Sequence, residues 1–475
     1  MTSAVPEILF RIGDIADRSG IGCYLVGGYV RDMLMQRECT DIDIMVIGDP
    51  VPFAKTIQKE LRGRHFVLFE RFRTAQLELD GPDKMPFKLE LVGARKESYN
   101  PESRKPITLT GTLEDDLSRR DFTINALALV LNREGRGTII DQHGGLLDLE
   151  KKILRTPLDP LQTYSDDPLR MMRTARFAAQ LDFTPVEEAT RAMQAMHERI
   201  GIVSKERISH EFLKIMQAPR PSVGLILLHE TGVLGEILPE SREMAGIEQV
   251  DGLGHKDTLY HTFQVVDNVA RVTGNLWLRI AALLHDVAKP QTKRFTKKAG
   301  WTFHGHDAVG VRTAARIFRQ MRWPQERLTY VQKMIRMHHR PIPLSKSEIT
   351  DSAVRRLMFD AGEDLQDLMT LCRADVTSKN PKKVERIMRN FTNVERKIEE
   401  VGEKDLLAKW RPPIDGLEIM QELGLPEGRT VGMIKKEMEN AVVEGTIPYE
   451  REAALEFVRE AYRRMKGGTG PDGGK

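Results

Sequence analysis

Two aspartates one residue apart inside a β-branched apolar run are the strongest constraint this chain places on its own folding. Asp41 and Asp43 alternate with Ile42, Ile44 and Val46, a pattern that reads as a strand. Side chains two apart on a strand point to the same face, so the two carboxylates converge. Like charges held that close repel unless a cation lies between them. A hard, oxygen-preferring divalent ion is the natural resolution, and Mg²⁺ with a nucleotide phosphate is its commonest form. Just upstream, Gly27 and Gly28 separate the apolar run Cys23–Val26 from a helix-like GYVRDMLMQ. Missing side chains at such a turn let backbone N–H groups approach phosphate. Arg31, one turn into the helix, is placed to meet a phosphate oxygen. A lone Gly-Gly is usually only a tight turn. Coupled to Asp-x-Asp on the next strand, it points to a triphosphate site.

The rest of the chain has to support that chemistry. At 475 residues it is too long for one core, and length alone suggests about three domains. With 40% hydrophobic and 30% charged residues the composition is that of a globular protein, and no apolar run approaches bilayer length. The N-terminus lacks an apolar signal core, and Glu7, Asp14 and Asp17 argue against a transit peptide. Cys23, Cys39 and Cys372 have no ligand-like spacing, which excludes a disulfide framework and a zinc knuckle. A reducing, cytoplasmic setting with no membrane is expected. The net charge of +3 neither demands nor excludes nucleic acid, so any RNA-binding surface must come from local basic patches.

Up to about residue 145 strand-like and helical segments mix: CYLVGG, DIDIMVIG, HFVLFERF, TAQLELD and FKLELVGA read as strands. Between Gly93 and Leu117 the polar segment GARKESYNPESRKPITLTGTLEDDL reads as a long loop. After Pro160 helical periodicity dominates to Gly467, broken by turn signals. The Gly-rich end, KGGTGPDGGK, is expected to fray. The fold class expected is an α+β head with a mixed or antiparallel sheet, followed by an elongated all-α body.

Two further clusters carry chemistry. In LSRRDFTINALAL, Arg119, Arg120 and Asp121 stand ahead of what reads as an apolar helix, with Asn125 one turn on. A cap explains Asp121, but cations disfavour a helix N-terminus, so the arginines imply an anion. In DDPLRMMRTARF, Asp166 or Asp167 can cap a helix that Pro168 begins. Arg170, Arg173 and Arg176 drift around such a helix, and a solvated stripe is the plain reading of any charge run. Asp167 and Arg170, at i and i+3, set an acceptor beside a donor fork.

GGYVRD…DID, GARKESY, GTLEDDLSRRDFTINALAL, DPLRMMRTARF and ERISHEFLKIM, in this order over Tyr24 to Met216, resemble the motifs of class II tRNA nucleotidyltransferases. That family comprises CCA-adding enzymes and bacterial poly(A) polymerases. The resemblance implies a polymerase-β-like nucleotidyltransferase head, helical neck, body and tail, and synthesis without a nucleic-acid template. Carried over, Asp41 and Asp43 would be catalytic and bind Mg²⁺, and Gly28, Arg31 and Arg120 would hold the triphosphate. Asp121 and Asn125 would lie near the ribose. Asp167, Arg170, Arg173 and Arg176 would recognise the nucleotide. Asp166 stands where the family usually has Glu. Glu90 offers a third acidic group or a solvent-facing strand glutamate.

A second ordered set, LYHTFQVV, AALLHDVAKP, FHGHDAVG, MIRMHHRP and CRADVTSK, resembles the HD phosphohydrolase superfamily. It implies metal ligands at His261, His285, Asp286 and Asp375, and a second metal at His306 and His338. Mixed His and carboxylate donors suit Mn, Fe, Co, Ni or Zn better than Ca. Any one histidine alone is more often structural. The domains expected are residues 1–150 for the head, 151–250 for a helical neck, 251–385 for the HD domain and 386–475 for a helical tail.

The activity implied is addition of C, C and A to tRNA 3′ ends from CTP and ATP, with a metal-dependent phosphohydrolase in the HD domain. Three alternatives stand beside it: a poly(A) polymerase, an enzyme adding only CC or only A, and an HD phosphohydrolase with an RNA-binding head. The uninterrupted segment before Arg119 leans against a CC-only enzyme. The sequence sets no oligomeric state.

Overall fold

The computed structural model describes residues 5–39, 41–69, 74–80, 86–100, 103–247, 249–250, 253–254, 257–344, 350–378, 380–405 and 413–467. Most of the Gly-rich C-terminal end lies outside them. The chain divides into two compact units, Met1–Glu243 with Gln320–Trp323, and Met244–Arg319 with Pro324–Lys475.

The first unit is built on a mixed sheet. Its strands are β1 (Cys23–Val26), β2 (Asp41–Val46), β3 (Arg64–Phe69), β4 (Thr74–Asp80), β5 (Pro86–Gly93), β8 (Leu127–Val130) and β9 (Ile139–Asp141), in the order β3-β4-β5-β2-β1-β8-β9. Only β2 and β5 run parallel; Asp43 lies opposite Glu90 there and opposite Val26 on β1. Helices α1 (Glu7–Arg18) and α3 (Pro50–Leu61) cover one face. Alternation along β2 sends Ile42, Ile44 and Val46 into the core beneath them and turns Asp41, Asp43 and Met45 to the opposite face. The carboxylates are thus excluded from the helix-covered core by register alone.

Two expectations fail here. The segment read as a loop forms an antiparallel hairpin, β6 (Arg95–Asn100) with β7 (Ser103–Thr110); its charged residues with Pro101 and Pro106 give it the composition of a loop. The apolar helix expected after Asp121 does not form either. Helix α4 (Leu113–Ser118) ends before the arginines, Thr123–Asn125 makes a single 3₁₀ turn, and Leu127–Val130 is the strand beside β1. A short run buried on both faces cannot be told from a helix by periodicity. Arg119 is therefore the C-cap of α4, where cations are favoured, and the argument from an unfavourable helix N-terminus falls.

Behind the sheet come α2 (Gly28–Leu34), α5 (Gly145–Glu150), α6 (Pro160–Asp166), α7 (Leu169–Leu181), α8 (Glu187–Met196), α9 (Lys205–Gln217) and α10 (Pro221–Glu230), with α7 packed against both α9 and α10. In the second unit, helices Thr258–Val272, Leu276–Leu284, Leu328–Met337 and Leu365–Ala374 pack together. Helices Gly416–Leu423, Arg429–Val443 and Arg451–Gly467 share a separate core centred on Ile419, Ile434, Met438 and Val458. Among the described residues no helix is long and apolar enough to cross a membrane.

Candidate functional site

A cavity of about 1570 Å³ opens on the carboxylate face of the sheet. Asp41, Asp43 and Glu90 stand on one wall, and α7 and α9 supply the other. Asp43 is mostly buried; burial, followed by the neighbouring Glu90 and Asp41, pushes its pKa up to about 6, against the pull of Arg120. Glu90 also accepts a hydrogen bond from Gln76 at 3.2 Å. The wall thus offers carboxylate oxygens only, the donor type that a hard cation such as Mg²⁺ takes.

Gly27 closes the turn between β1 and α2 with φ 74°, a conformation that favours glycine. A Cβ there would lie 3.0 Å from Arg120 Nη1 and 3.3 Å from Asp43 Oδ2. A Cβ on Gly28, which also lines the cavity, would meet the Arg31 guanidinium at 3.5 Å, an ordinary contact, so the tighter constraint falls on Gly27.

The arginines arrive with partners. Arg31 donates to both oxygens of Asp32 at 2.9 and 2.8 Å and to Asn125 Oδ1 at 2.7 Å. Arg119 and Arg120 both pair with Asp116, whose side chain is fully buried. Burial would raise its pKa, but the pairs with Arg120 and Arg119 hold it below its ordinary value. Arg173 donates through Nε to Asp121 Oδ2 at 2.7 Å. Asp121 Oδ1 accepts from Asn125 Nδ2 and from the Phe122 N–H, both at 2.9 Å. Burial would raise its pKa, but Arg173 and Asn125 hold it down at about 2. Both Asp121 oxygens are thus engaged within the protein. Arg176 pairs with Glu211 at 2.9 Å; burial and then Arg173 pull its pKa down to about 10. The guanidiniums of Arg31, Arg173 and Arg176 all approach the Phe177 ring, at 5.1, 5.6 and 4.3 Å.

Asp167 and Arg170 both line the cavity; the Arg170 N–H donates to the Asp167 carbonyl at 2.9 Å, while their side chains take other partners. Asp167 sits at the α6–α7 junction, accepting from the Leu169 N–H at 3.2 Å and from Arg207 at 3.2 Å. Arg170 donates to the carbonyl of Arg119. The arginines of α7, expected to spread around the helix, all reach the same cavity. Asp116, Arg207 and Glu211 were not foreseen as site residues. The signals were present: Asp116 precedes the two arginines by three and four residues, and Arg207 and Glu211 are one turn apart on α9.

The second unit gathers histidines around one carboxylate. His285 Nε2 lies 3.1 Å and His261 Nε2 3.6 Å from Asp286 Oδ2, and His261 Nε2 lies 2.9 Å from Asp375. His306 and His338 present Nε2 to Asp286 Oδ1 at 3.7 and 3.9 Å. Asp286, His306, His338 and His339 form one potential metal group, and His261, His285 and Asp286 another. His339, the second residue of a His-His doublet, was missed. Nδ1 of His285, His306 and His338 lies 2.7 Å from the carbonyls of Ala282, Phe303 and Ile335. A carbonyl can only accept, so Nδ1 of each ring carries a proton, and Nε2 is the atom turned inward toward the carboxylates. Buried His285 Nε2 and Asp286 Oδ1 have no hydrogen-bond partner. Buried polar atoms left without a hydrogen-bond partner inside a His-carboxylate cluster fit a bound cation. Burial would raise Asp286, but His285 and Lys289 hold it well below the usual carboxylate range.

Fold and sites together define a nucleotidyltransferase head joined to an HD domain. The family model "Poly A polymerase head domain" matches residues 23–155, "Probable RNA and SrmB- binding site of polymerase A" matches 182–244, and "HD domain" matches 258–380. The chain is 32% identical over 443 residues to the CC-adding tRNA nucleotidyltransferase of Thermus thermophilus, covering 90% of this chain and 91% of the relative. It is 31% identical to the A-adding tRNA nucleotidyltransferase of Deinococcus radiodurans, covering 91% and 94%. A solved CCA-adding enzyme of Bacillus stearothermophilus in complex with CTP shares the fold with TM-score 0.65 at 22% identity, covering 97% of this chain and 98% of that one. The chain belongs to the tRNA nucleotidyltransferase family and is an enzyme of that class.

Proposed function

We propose that this enzyme adds C, C and A to the 3′ end of tRNA from CTP and ATP, without a template. The observation that supports this most is the single cavity in which Asp41 and Asp43 face Asp167 and Arg170. It offers a place for the metal-bound phosphates at one end and for the base at the other. The tRNA 3′-oxygen forms a bond to the α-phosphorus, the bond to the β-phosphate oxygen breaks, and pyrophosphate leaves. Mg²⁺ held by Asp41 and Asp43, with Glu90 beside them, would lower the pKa of the attacking hydroxyl and neutralise the leaving group. Arg120, held by Asp116, and Arg31, held by Asp32, are aimed before substrate arrives, so little reorganisation is left to the reaction. Cytosine and adenine both present an amino donor beside a ring acceptor, which Asp167 and Arg170 complement with charge-assisted bonds. The test is incorporation on tRNAs truncated before the first C, the second C or the A, with each NTP supplied singly and the ends sequenced. Arrest after CC on every primer, or failure on the two shorter primers, would replace this reading with the CC-only or A-only one.

A second activity is favoured by the orphaned His285 Nε2 and Asp286 Oδ1. His261, His285, Asp286 and Asp375 would hold one transition metal, and Asp286, His306, His338 and His339 a second. The pair would supply an activated water for phosphoester hydrolysis. Mn, Fe, Co, Ni and Zn all suit this donor set. Metal analysis of the purified protein, with and without Asp286→Ala, tests it; wild-type protein that takes up none of the five overturns it.

A further inference from the structure

Between the HD-centre residues Asp286 and His306 the chain leaves the metal site and returns to it. The fifteen residues from Lys289 to Phe303, KPQTKRFTKKAGWTF, carry five cations, three aromatics and no carboxylate. The whole chain balances 72 basic against 69 acidic residues, so this run departs sharply from its surroundings. A charged run is usually a solvated face, and two structural observations separate this one from that reading.

The first is its place. Strands Arg294–Thr296 and Gly300–Thr302 pair as a tight antiparallel hairpin. One end of the segment, Lys289, donates to Asp286 Oδ2. The other end, Phe303, supplies the carbonyl that orients His306. Lys289, Phe303, His306 and His339 line a cavity of about 450 Å³ at the metal centre, with Asp307 as its acidic member. The hairpin is therefore continuous with the wall of the site.

The second is its chemistry. Phe295 and Trp301 pack edge to face across the hairpin, centroids 5.2 Å apart and planes at 65°, and Lys293 Nζ lies 5.4 Å from the Trp301 ring. Lys289 Nζ lies 5.7 Å from the ring of Phe303. Arg294, Lys297 and Lys298 are exposed, and no carboxylate on the segment neutralises them. Cations interleaved with aromatic faces are what a single-stranded nucleic acid needs, the cations for phosphates and the rings for bases.

We propose that the Lys289–Phe303 hairpin is a single-stranded RNA surface that delivers a phosphorylated 3′ end into the HD centre, making a polynucleotide end, rather than a free mononucleotide, its substrate. This rests on reading that centre as a phosphohydrolase. With a 2′,3′-cyclic phosphate, water would form one new P–O bond as one ring P–O bond breaks, and the freed ribose oxygen takes the proton. A mononucleotide would occupy only the cavity; upstream phosphates of a polynucleotide would meet Arg294, Lys297 and Lys298.

The experiment uses the full chain loaded with Mn²⁺ and two substrates, 2′,3′-cyclic AMP and a single-stranded RNA pentamer ending in a 2′,3′-cyclic phosphate. Lys297→Gln/Lys298→Gln alters the exposed tip and neither metal centre. The expected result is a KM for the pentamer raised about tenfold with kcat kept, and a KM for cyclic AMP unchanged. The log–log salt slope for the pentamer should flatten by about 1.4, roughly 0.7 for each single-strand phosphate that the variant no longer neutralises. In parallel, a pentamer carrying 4-thiouridine at its 3′ end is photo-crosslinked and the adducts are mapped. An adduct between Lys293 and Phe303 that the double variant loses supports the surface even if neither substrate is cleaved, an outcome that would retire the hydrolase reading alone. Equal KM values for the pentamer in wild type and variant, with no adduct on the hairpin, overturn the surface while leaving the hydrolase reading intact.

Discussion

The two sites of this chain both depend on clustered carboxylates, yet they balance charge in opposite ways. In the polymerase cavity most of the arginines are paired with protein carboxylates: Arg31 has Asp32, Arg119 and Arg120 share Asp116, Arg173 has Asp121, Arg176 has Glu211, and Arg207 has Asp167. Asp43, the proposed Mg²⁺ ligand, is by contrast pushed up to about 6 by burial and its acidic neighbours. In the HD centre the carboxylate Asp286 is deep in histidines, Lys289 is its one amine partner among the described residues, and two buried polar atoms stay without a hydrogen-bond partner. The difference teaches what each metal does for its site. The polymerase cavity is organised by protein–protein ion pairs and waits for a metal with its substrate. On the reading proposed above, the HD centre would need a cation to satisfy the buried atoms that its own contacts leave unpartnered.

The largest expected effect breaks the catalytic half of that comparison. Asp41→Ala or Asp43→Ala should remove nucleotide transfer altogether, beyond the roughly 10²–10³-fold that follows removal of a single electrostatic stabiliser. Binding of tRNA should survive, because affinity for a polyanion rests on Lys and Arg contacts to phosphate. A filter-binding assay beside an incorporation assay separates the two. Retained incorporation in either variant discards the proposed Mg²⁺ site.

Next comes base choice. Uracil would set its O4 against Asp167, acceptor to acceptor, and its N3–H against Arg170, donor to donor. Opposed buried polar groups cost about 1–3 kcal/mol each, enough for large discrimination. Asp167→Arg and Arg170→Asp should each lower kcat/KM for CTP and ATP and relax selectivity toward UTP or GTP. Arg207→Ala should do the same more weakly, since it leaves the Asp167 carboxylate in place but unheld. Unchanged ratios across all four NTPs in both charge-reversal variants would place base choice elsewhere.

Much of this was legible in the residues, and the failures have a common cause. Asp-x-Asp after a Gly-Gly turn specified the site because strand alternation and glycine stereochemistry act locally. Asp116, Arg207 and Glu211 were overlooked because their function is to hold other side chains, and a sequence shows a charge but not what it faces. The misread after Asp121 is of the same kind. Leu127–Val130 is buried on both faces, so no periodicity survives to distinguish strand from helix. The hairpin of Arg95–Asn100 and Ser103–Thr110 was misread for a different reason: its charged residues and two prolines have loop composition, and the short alternation Ile107-Thr108-Leu109-Thr110 was outweighed by it. His339 was missed because adjacent residues on a helix diverge by about 100°, so a doublet is not expected to converge on one ion. It lies past the end of helix Leu328–Met337, where the chain is free to turn it inward.

A smaller effect tests the HD half of the comparison. A metal bound at 100 times its dissociation constant stabilises the folded state by about 2.7 kcal/mol. Mn²⁺ or Ni²⁺ should therefore raise the melting temperature of the second unit, and a chelator should lower it. Asp286→Ala should abolish the metal-dependent shift while CTP incorporation stays near wild type. Calorimetry with and without chelator reads the shift; an unchanged transition in wild type would mean the histidines are satisfied without metal.

The smallest effect concerns the claim that the polymerase cavity is held by its own ion pairs. Asp121 is the clearest case: it is buried, its two oxygens accept from Arg173, Asn125 and the Phe122 N–H, and its pKa is held down at about 2 from an ordinary 3.8. A carboxyl group whose folded-state pKa is depressed binds fewer protons folded than unfolded. Its contribution is complete above the unfolded value and disappears as pH falls through the folded one. Lowering a pKa by one corresponds to about 1.4 kcal/mol, so the contribution at neutral pH is on the order of 2 kcal/mol. Asp121→Asn keeps the size of the side chain and removes the charge. The stability gap between wild type and Asp121→Asn should be constant from pH 7 to about pH 5, narrow between about pH 4 and pH 2, and close below that. Urea unfolding of the first unit across this range, without metal or nucleotide, gives the gap directly. A gap that persists at pH 2 would show that Asp121 stabilises by hydrogen bonding alone. A gap absent at pH 7 would show that Arg173 finds another anion, and the cavity would then depend on its ligands as the HD centre does.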